Sequence, residues 1–470
     1  MSGASGLDPV KFSHTIPSEI FRAYDIRGVY GRQLTEQRIE LIGQGIGSEA
    51  LGQGIETLLV GRDGRLSSPS LAKHLIIGIR ASGCDTVDLG IVPTPLVYFA
   101  THVTSWSSGV MLTASHNPAD YNGIKIVFKQ SCLADNQIQQ IRLRIKTGEL
   151  AEGSGNYQTH DIKQHYLSDV CNRICLEQKL KIVIDCGNGV TSIMAQELFE
   201  ALGCEVIPLF CDLDGNFPNH DPDPTQPENL QELQSQVLAN KADIGLAFDG
   251  DGDRLGVVSN TGELIDTDRL LAALVKSIVP KHPDKKIVFD VKCSSRLGPL
   301  IRKYGGVPIM HRSGHSFMKQ KMLETGAPLG GEFSAHIFIK DRWFGFDDGL
   351  YTGARLLEIL SQGSVTSIDL FTNLGERYAT SEIKIEVNES DKFSIAKKLT
   401  EQANFPGGEI TRIDGIRVDF PDSWGLVRAS NTSAALLLRF EADTPESLKK
   451  IQAKFKQLLM QVDRTLPISF

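Results

Sequence analysis

One pattern recurs three times along the chain and constrains its fold more than any other feature. Leu58–Arg65 (LLVGRDGR), Ile182–Gly189 (IVIDCGNG) and Ile287–Ser294 (IVFDVKCS) are short apolar runs ending in a polar or glycine-bearing turn. A helix-like segment follows each, at Pro69–Ser82, Ser192–Leu202 and Ser295–Tyr304. Each segment closes at a glycine (Gly83, Gly203, Gly305), the residue that turns a helix end left-handed at least cost. A second β-like run comes next, at Thr86–Ile91, Glu205–Phe210 and Val307–Met310. Strand, helix and strand in that order make the βαβ unit of a parallel sheet, whose ligand side lies at the C-terminal strand ends. The repeat predicts three similar α/β domains with mixed sheets.

Beyond about Tyr378 the texture changes. Ser381–Val387, Gly415–Phe420 and Ala435–Glu441 read as strands, and Pro445–Val462 as an amphipathic helix with Leu448, Ile451, Phe455, Leu458 and Leu459 on one face. This is a C-terminal α+β module. At roughly 150 residues per domain, the 470 residues fit three or four domains, and the pattern favours four: 1–155, 156–262, 263–377 and 378–470. Polar, glycine-bearing stretches near Glu152–Thr159 and Ser361–Ser367 are candidate linkers or loops.

Lys and Arg number 49 against 57 Asp and Glu, a net charge of −8. That argues against a nucleic-acid partner, which needs basic surface to displace counterions from phosphates. The longest apolar runs, such as Leu270–Val275, fall far short of a membrane span. Met1–Val10 carries neither the basic nor the apolar region of a secretory signal. Several of the eight cysteines sit inside strand-like runs (Cys186, Cys204, Cys293), as buried reduced thiols of a cytoplasmic protein would. Cys171 and Cys175 have the spacing to share a helix face, but no second Cys/His pair has ligand spacing, so they are read as plain thiols.

The most specific local feature is Phe248–Leu255 (FDGDGDRL), directly after the strand-like Ile244–Ala247. Asp249, Asp251 and Asp253 repel one another unless a cation neutralises them, and Gly250 and Gly252 let the backbone fold around it. Oxygen donors without His or Cys suit a hard cation, Mg²⁺ above Ca²⁺ or Mn²⁺. An EF-hand fails on position: Arg254 stands where that loop needs Gly, and Asn260 where it needs Glu.

Other stretches carry chemistry less specifically. In Met111–Pro118 (MLTASHNP), Ser115 could serve as nucleophile, phosphate carrier or helix N-cap; adjacent His116 need not reach its oxygen as a base, so a triad is a weak reading. In Val427–Ser433 (VRASNTS), Arg428 can grip two phosphate oxygens while Ser430, Asn431 and Thr432 donate singly; the same stretch reads equally as a capped polar turn. In Gly330–His336 (GGEFSAH), Glu332 and Ser334 would face one way in an extended loop and suit a pair of sugar hydroxyls, with His336 adding a titratable group. Lys292 and His315 stand where strand-like runs open into loops. No phosphate-binding P-loop or dinucleotide glycine pattern is present in the sequence, which argues against common kinases and dehydrogenases.

Taken in order, TASHNP, DGDGDR, GEFSAH and RASNT resemble the α-D-phosphohexomutases, and within them the bacterial phosphomannomutase/phosphoglucomutase group. The resemblance runs from Phe21–Gly28 (FRAYDIRG) to the C-terminal module. It implies four domains around a central cleft, carrying in order the phosphoserine, the Mg²⁺, the sugar-recognition loop and the phosphate-binding loop. Ser115 would be the phosphoserine, and Asp249, Asp251 and Asp253 would hold Mg²⁺ together with a phosphate oxygen on Ser115. Glu332 and Ser334 would read sugar hydroxyls, and Arg428, Ser430, Asn431 and Thr432 would hold the phosphate not being transferred. Tyr24, Arg27, His116, Lys125, Arg254, Lys292, His315 and His336 match positions lining the family's cleft.

The reaction implied is the reversible conversion of a hexose 1-phosphate, mannose or glucose, to the 6-phosphate. It passes through a hexose 1,6-bisphosphate, which is both intermediate and activator, and His336 and Lys125 are the candidate proton acceptors. Two departures stand out: Ala335 where the family usually has Gly, and Ala434 where Pro is common. The SNT triplet and Phe333 favour this group over phosphoglucosamine mutases, the first alternative. A Mg²⁺-dependent sugar phosphatase and a non-catalytic sugar-phosphate binder are the others. The expected partners are small sugar phosphates, with no nucleic acid and no membrane. No exposed apolar stripe fixes an oligomeric state, and a monomer is the expectation.

Overall fold

The computed structural model describes residues 16–363, 365–375, 377–388, 390–430, 433–468 and 470. They divide into two compact units, one holding the chain up to Asp266 together with Ser334–Leu370, the other Thr267–Phe333 with Phe371–Phe470.

The first sheet of the first unit comprises β1 (Ile26–Val29), β2 (Thr57–Arg62), β3 (Asp85–Ile91), β4 (Gly109–Leu112), β5 (Tyr121–Phe128), β6 (Ser131–Cys132) and β7 (Tyr157–Thr159). Their order is β1-β5-β4-β2-β3-β7, with β6 on β5. β2, β3, β4 and β7 run parallel, and β5 lies antiparallel to both its main neighbours, so the sheet is mixed as expected. The central strands are buried and read as near-continuous apolar runs, because helices cover them. Two of those helices, α1 (Glu36–Gly52) and α2 (Ser68–Ala81), cross so closely that a Cβ on Gly78 would lie 1.8 Å from the Glu40 carbonyl oxygen. Only glycine allows that approach.

The second sheet of this unit is ordered β12-β11-β10-β8-β9. It is built from β8 (Lys181–Asp185), β9 (Glu205–Leu209), β10 (Ile244–Phe248), β11 (Leu255–Ser259) and β12 (Leu264–Ile265). β8 pairs in parallel with β9 and β10, and β11 turns back antiparallel on β10. That reversal places the aspartate run in the hairpin between two fully buried strands.

In the second unit, β13 (Lys286–Asp290) runs parallel to both β14 (Val307–His311) and β15 (Leu329–Gly331). Its C-terminal sheet is antiparallel, centred on Ser423–Ala429 and Ala435–Ala442. The helix Pro445–Val462 buries Ile451, Phe455, Leu458 and Leu459 against it, with Leu448 packed at the margin, which is the face the sequence predicts.

All three predicted βαβ units form. The helices are Ser68–Ala81, Ala195–Ala201 preceded by a 3-10 turn at Val190–Ile193, and Leu297–Lys303. Gly83, Gly203 and Gly305 adopt φ of 97°, 95° and 89°, the left-handed stop that their positions imply. One expectation fails, and one open possibility closes in favour of plain thiols. Tyr157–Thr159, read as linker or loop, is a short edge strand pairing with β3. Cys171 and Cys175 share no helix face, because the helix ends at Arg173. Among the described residues, no helix is long and apolar enough to cross a membrane.

Candidate active site

Ser115 stands just beyond the C-terminal end of β4, with φ 52°. A turn rather than a helix follows, so it caps nothing. Its backbone N–H donates to Thr113 Oγ1 at 2.9 Å. Its hydroxyl donates to Asp249 Oδ2 at 2.8 Å and lies 3.2 Å from His116 Nδ1. The expectation that His116 need not reach the serine oxygen is therefore corrected: the left-handed backbone at Ser115 brings both side chains to the same side. Burial, reinforced by the nearby Arg254 cation, pushes the His116 imidazole well below its ordinary range. That favours a neutral ring, which can donate its Nδ1–H to the serine oxygen while the serine hydroxyl donates to Asp249.

The loop is held from beneath by Arg65, which contributes no atom to the reacting surface. Its guanidinium donates to the carbonyls of Ser115 (2.7 Å), Asn117 (2.6 Å), Pro118 (2.5 Å) and Tyr121 (3.2 Å), and its Nε to Asp63 (3.1 Å). Sequence reading missed this residue, although it closes the first repeated motif, LLVGRDGR.

Asp249, Asp251 and Asp253 are each fully buried, and one oxygen of each lies within 4.8 Å of the others. Lys125, from β5, reaches between them, its Nζ 2.7 Å from Asp251 Oδ2 and 2.5 Å from Asp253 Oδ2. Thr94 donates its hydroxyl to Asp251 Oδ2. Burial pushes the Asp249 carboxyl well above the carboxylate range, and Asp251 and Asp253 push it further. Burial acts on Asp251 in the same sense, but Lys125 outweighs it and holds that carboxylate ionised. Burial likewise favours neutral Lys125, and the aspartates overcome it, keeping the ammonium charged.

The donor set fits a hard divalent cation. Asp251 Oδ1 and Asp253 Oδ1 are buried without a hydrogen-bond partner, and an orphaned carboxylate oxygen is costly unless something electropositive meets it. The acidic group is thus a metal-binding group in kind. Asp253 also forms a second potential group with His336 and Asp347. There His336 Nδ1 lies 3.1 Å from Asp347 Oδ2 and 3.5 Å from Asp253 Oδ1, while Arg254 Nε donates to His336 Nε2 at 3.1 Å. The Arg254 bond makes Nε2 the acceptor, which leaves the proton of the neutral ring on Nδ1, beside Asp347, a residue sequence reading also missed. Arg254 lies 3.8 Å from Asp249 and 3.9 Å from Asp223. Arg27, on β1, donates to Asn117 Oδ1 at 2.6 Å and pairs with buried Asp25 at 2.5 Å. Tyr24 is half-buried, close enough for its phenol to act electrostatically on Arg254. Ser334, which belongs to this unit, is half-buried in a turn, followed by Ala335 at φ 73°. The extended loop that would align Glu332 and Ser334 on one face is not formed.

The second unit gathers a different set. Buried Glu332 accepts from the Gly314 N–H at 2.5 Å. Buried Lys292 lies 3.4 Å from Glu382; Glu382 and Asp290 together overcome its burial and keep its ammonium charged. Asp290, at the end of β13, organises the loops, accepting from Ser313 Oγ (2.7 Å) and the Phe333 N–H (3.1 Å). His315 opens the helix His315–Thr325 rather than sitting in a loop, with Nδ1 3.2 Å from Lys319 Nζ. Arg428 is on a strand, not in the expected loop, its Nε donating to Asp414 at 2.9 Å. Buried Ser430 meets Ser433 Oγ at 2.9 Å. Asn431 and Thr432 lie outside the described residues.

Comparison with known proteins agrees with this picture along the chain. The phosphoglucomutase/phosphomannomutase α/β/α domains I, II and III match residues 18–152, 164–262 and 266–378, and the C-terminal domain of the same family matches 382–458. A Pseudomonas aeruginosa phosphomannomutase/phosphoglucomutase is 53% identical over 97% of this chain and 98% of its own. A Neisseria meningitidis phosphoglucomutase is 46% identical over 94% and 97%. A crystal structure of a phosphoglucomutase/phosphomannomutase family protein from Burkholderia thailandensis superposes with a TM-score of 0.92 at 45% identity, covering 97% of this chain and all of that one. The four domains in order, the buried aspartate hairpin and the serine against it converge on one conclusion: the chain belongs to the phosphoglucomutase/phosphomannomutase family of mutases.

Proposed function

We propose that the chain interconverts hexose 1-phosphate and hexose 6-phosphate, of mannose, glucose or both, by reversible phosphoryl transfer through Ser115. The observation that carries the reading is the 2.8 Å contact between Ser115 Oγ and Asp249, inside a buried cluster of three aspartates and one lysine. In the forward sense, phosphoserine 115 gives its phosphoryl group to the free hydroxyl of the substrate. The serine P–O bond breaks, a sugar P–O bond forms, and the sugar hydroxyl loses its proton. The 1,6-bisphosphate so formed returns its other phosphoryl group to Ser115.

Mg²⁺ would be held by Asp249, Asp251 and Asp253; when bound, it supplies positive charge beside a phosphoserine that carries about two negative charges. The chain's own groups do the rest. Lys125, held as the cation, stabilises transferring oxygens electrostatically, and its aspartate partners disfavour the proton-accepting role. His336 is better suited to that role: with Nδ1 beside the Asp347 carboxylate, which favours an added positive charge on the ring, its Nε2 can take the proton once a substrate hydroxyl displaces the Arg254 N–H. Glu332 and Ser334 would read sugar hydroxyls. Arg428, Ser430, Asn431 and Thr432, with Lys292 and His315, would hold the phosphate at rest. Tyr24, Arg27, Arg254 and His116 would complete the anionic site around Ser115. The eight free cysteines support a reducing, cytoplasmic setting.

The test is phosphorus NMR with Mg²⁺, a trace of glucose 1,6-bisphosphate, and mannose, glucose or glucosamine 1-phosphate in separate tubes. A growing 6-phosphate signal is expected with mannose or glucose. Faster turnover of the glucosamine ester would point to phosphoglucosamine mutase. Inorganic phosphate alone would replace the reading with a phosphatase.

A further inference from the structure

Two thiols outside this chemistry lie against each other. Cys186 follows β8 and Cys211 follows β9, on neighbouring parallel strands, and their sulfurs are 3.2 Å apart. The paired register ends at Asp185 and Leu209, just before the two cysteines, and sulfurs 3.2 Å apart need to approach by only about 1 Å to reach the ~2.05 Å of a disulfide bond. Cys186 is fully buried and Cys211 half-buried, so a small oxidant meets Cys211 first. The hydrogen bond between them draws the Cys211 thiol below its ordinary range and lifts that of Cys186, which burial lifts further. Cys211 is then the attacking thiolate and Cys186 the resolving thiol.

The pair is joined to the aspartate hairpin by backbone. The turn that begins at Cys186 continues through Gly189, where a Cβ would stand 3.0 Å from both the Cα and the carbonyl oxygen of Gly250. The Val190 N–H donates to that same Gly250 oxygen at 3.1 Å. On the other side, the Asn188 N–H donates to the Phe210 carbonyl at 2.8 Å, tying this turn to the residue before Cys211. Both Asn188 and Phe210 are left-handed, at φ 56° and 50°, so the turn has little freedom to absorb a shift of either sulfur.

We propose that Cys186 and Cys211 form a dithiol–disulfide couple, oxidised by low-molecular-weight disulfides of the glutathione type, whose closure weakens metal binding at the adjoining hairpin. The Cys211 thiolate attacks one sulfur of the small disulfide, forming a mixed disulfide and releasing one small thiol. The Cys186 sulfur then attacks Cys211, releasing the second. Two protein S–H bonds become one S–S bond, and both protons leave on the two small thiols. The bond itself is independent of the mutase reading; only its effect on the hairpin rests on that reading.

The test uses the full chain incubated with graded glutathione disulfide, alkylated and mapped by mass spectrometry, with Mn²⁺ titration calorimetry on the same samples. A peptide link between Cys186 and Cys211 is expected, reversed by a dithiol reductant, with a roughly tenfold loss of Mn²⁺ affinity. Cys211→Ser should keep the reduced protein's Mn²⁺ affinity and be indifferent to the oxidant. Cys186→Ser should stop at a mixed disulfide on Cys211. Oxidation confined to other cysteines overturns the couple. A Cys186–Cys211 link with unchanged Mn²⁺ affinity overturns its coupling to the hairpin, whether or not mutase activity has been established.

Discussion

Gly250→Ala probes the join between the serine loop and the aspartate hairpin. A Cβ at Gly250 would stand 2.4 Å from the Ser115 carbonyl oxygen, where real Cβ atoms essentially never come within 3.0 Å of a neighbour. The obstacle is backbone, so no side-chain rotation relieves it. Gly250 does not take a positive φ, so the left-handed penalty on alanine is absent and the clash is the effect expected. The two loops must separate by at least about half an ångström. Arg65 holds the Ser115 carbonyl at 2.7 Å, and Pro222 accepts from the Gly250 N–H at 3.1 Å, so neither side yields freely. Overpacking of this kind costs about 1–3 kcal/mol of stability. The larger effect falls on chemistry, since the Ser115–Asp249 contact of 2.8 Å would open. Displacements of about 1 Å at reacting atoms cost about 10²-fold in rate, or about 2.7 kcal/mol. The assay pairs steady-state turnover of glucose 1-phosphate with urea unfolding of the same preparation. A fall of about 10²-fold in kcat, with folding retained at 25 °C, is the expected result. Wild-type turnover and unchanged Mg²⁺ dependence would refute the argument that this glycine sets the spacing.

Other perturbations test neighbouring parts. Arg65→Lys removes a fork that serves four carbonyls and Asp63; a loss of about 3–5 kcal/mol is expected in chemical unfolding, together with lost phosphorylation of Ser115, and a wild-type melt would contradict it. At Ala335, left-handed and buried, Gly relieves strain but loses a buried methyl and gains chain entropy to be ordered, so Ala335→Gly should change stability by less than about 1 kcal/mol, whereas Ala335→Val should cost more than about 2 kcal/mol; equal effects in thermal melts would contradict the assigned φ. Asp348, whose carboxyl accepts from the Tyr166 hydroxyl and the Tyr351 N–H, is pushed up to about 7 by burial. The native state then holds this proton more tightly than the unfolded chain does, so stability falls as pH rises from the ordinary carboxylate range through 7, by up to about 4 kcal/mol. Asp348→Asn keeps both hydrogen bonds and should flatten that slope in urea midpoints taken at pH 5 and 8; an unchanged slope would show that other groups produce it.

What the sequence made legible follows from where its signals are local. Apolar runs closed by Gly83, Gly203 and Gly305 announce their strands and helices, because periodicity and a left-handed stop act over a few residues. Three aspartates in five residues announce a cation, because their repulsion is a property of the stretch itself. Arg65 stayed hidden because it acts on backbone carbonyls more than fifty positions away, or nearly so for Ser115, and carbonyls have no letter in a sequence. Asp347 and Thr94 stayed hidden for the same reason of distance, each joining the site from another element. The edge strand Tyr157–Thr159 is exposed at all three residues, so no apolar alternation marks it. The contact of His116 with Ser115 depends on one left-handed φ at a serine, which nothing in the residue type foretells.

Charge accounting explains why the buried cluster has this composition. With all three aspartates ionised, Lys125 leaves two negative charges within the cluster and Arg254 beside Asp249 offsets part of one more, a deficit that a divalent cation fills. The protein's own alternative is visible at Asp249, whose carboxyl is driven well above its usual range by burial and by the other two. Proton and metal therefore compete at Asp249, the carboxylate that touches Ser115. The sign is fixed: raising the pH removes the proton and strengthens metal binding, and lowering it does the reverse. Asp251→Asn removes one charge and one orphaned oxygen together, so it should weaken Mn²⁺ binding more than a conservative change at an exposed carboxylate does, and should lower the pH at which Asp249 ionises. Titration calorimetry across pH 6 to 8 reads both effects. An Asp251→Asn protein whose Mn²⁺ affinity and pH dependence match the parent's would mean that the cation is bound elsewhere, and the assignment of this hairpin would fall with it.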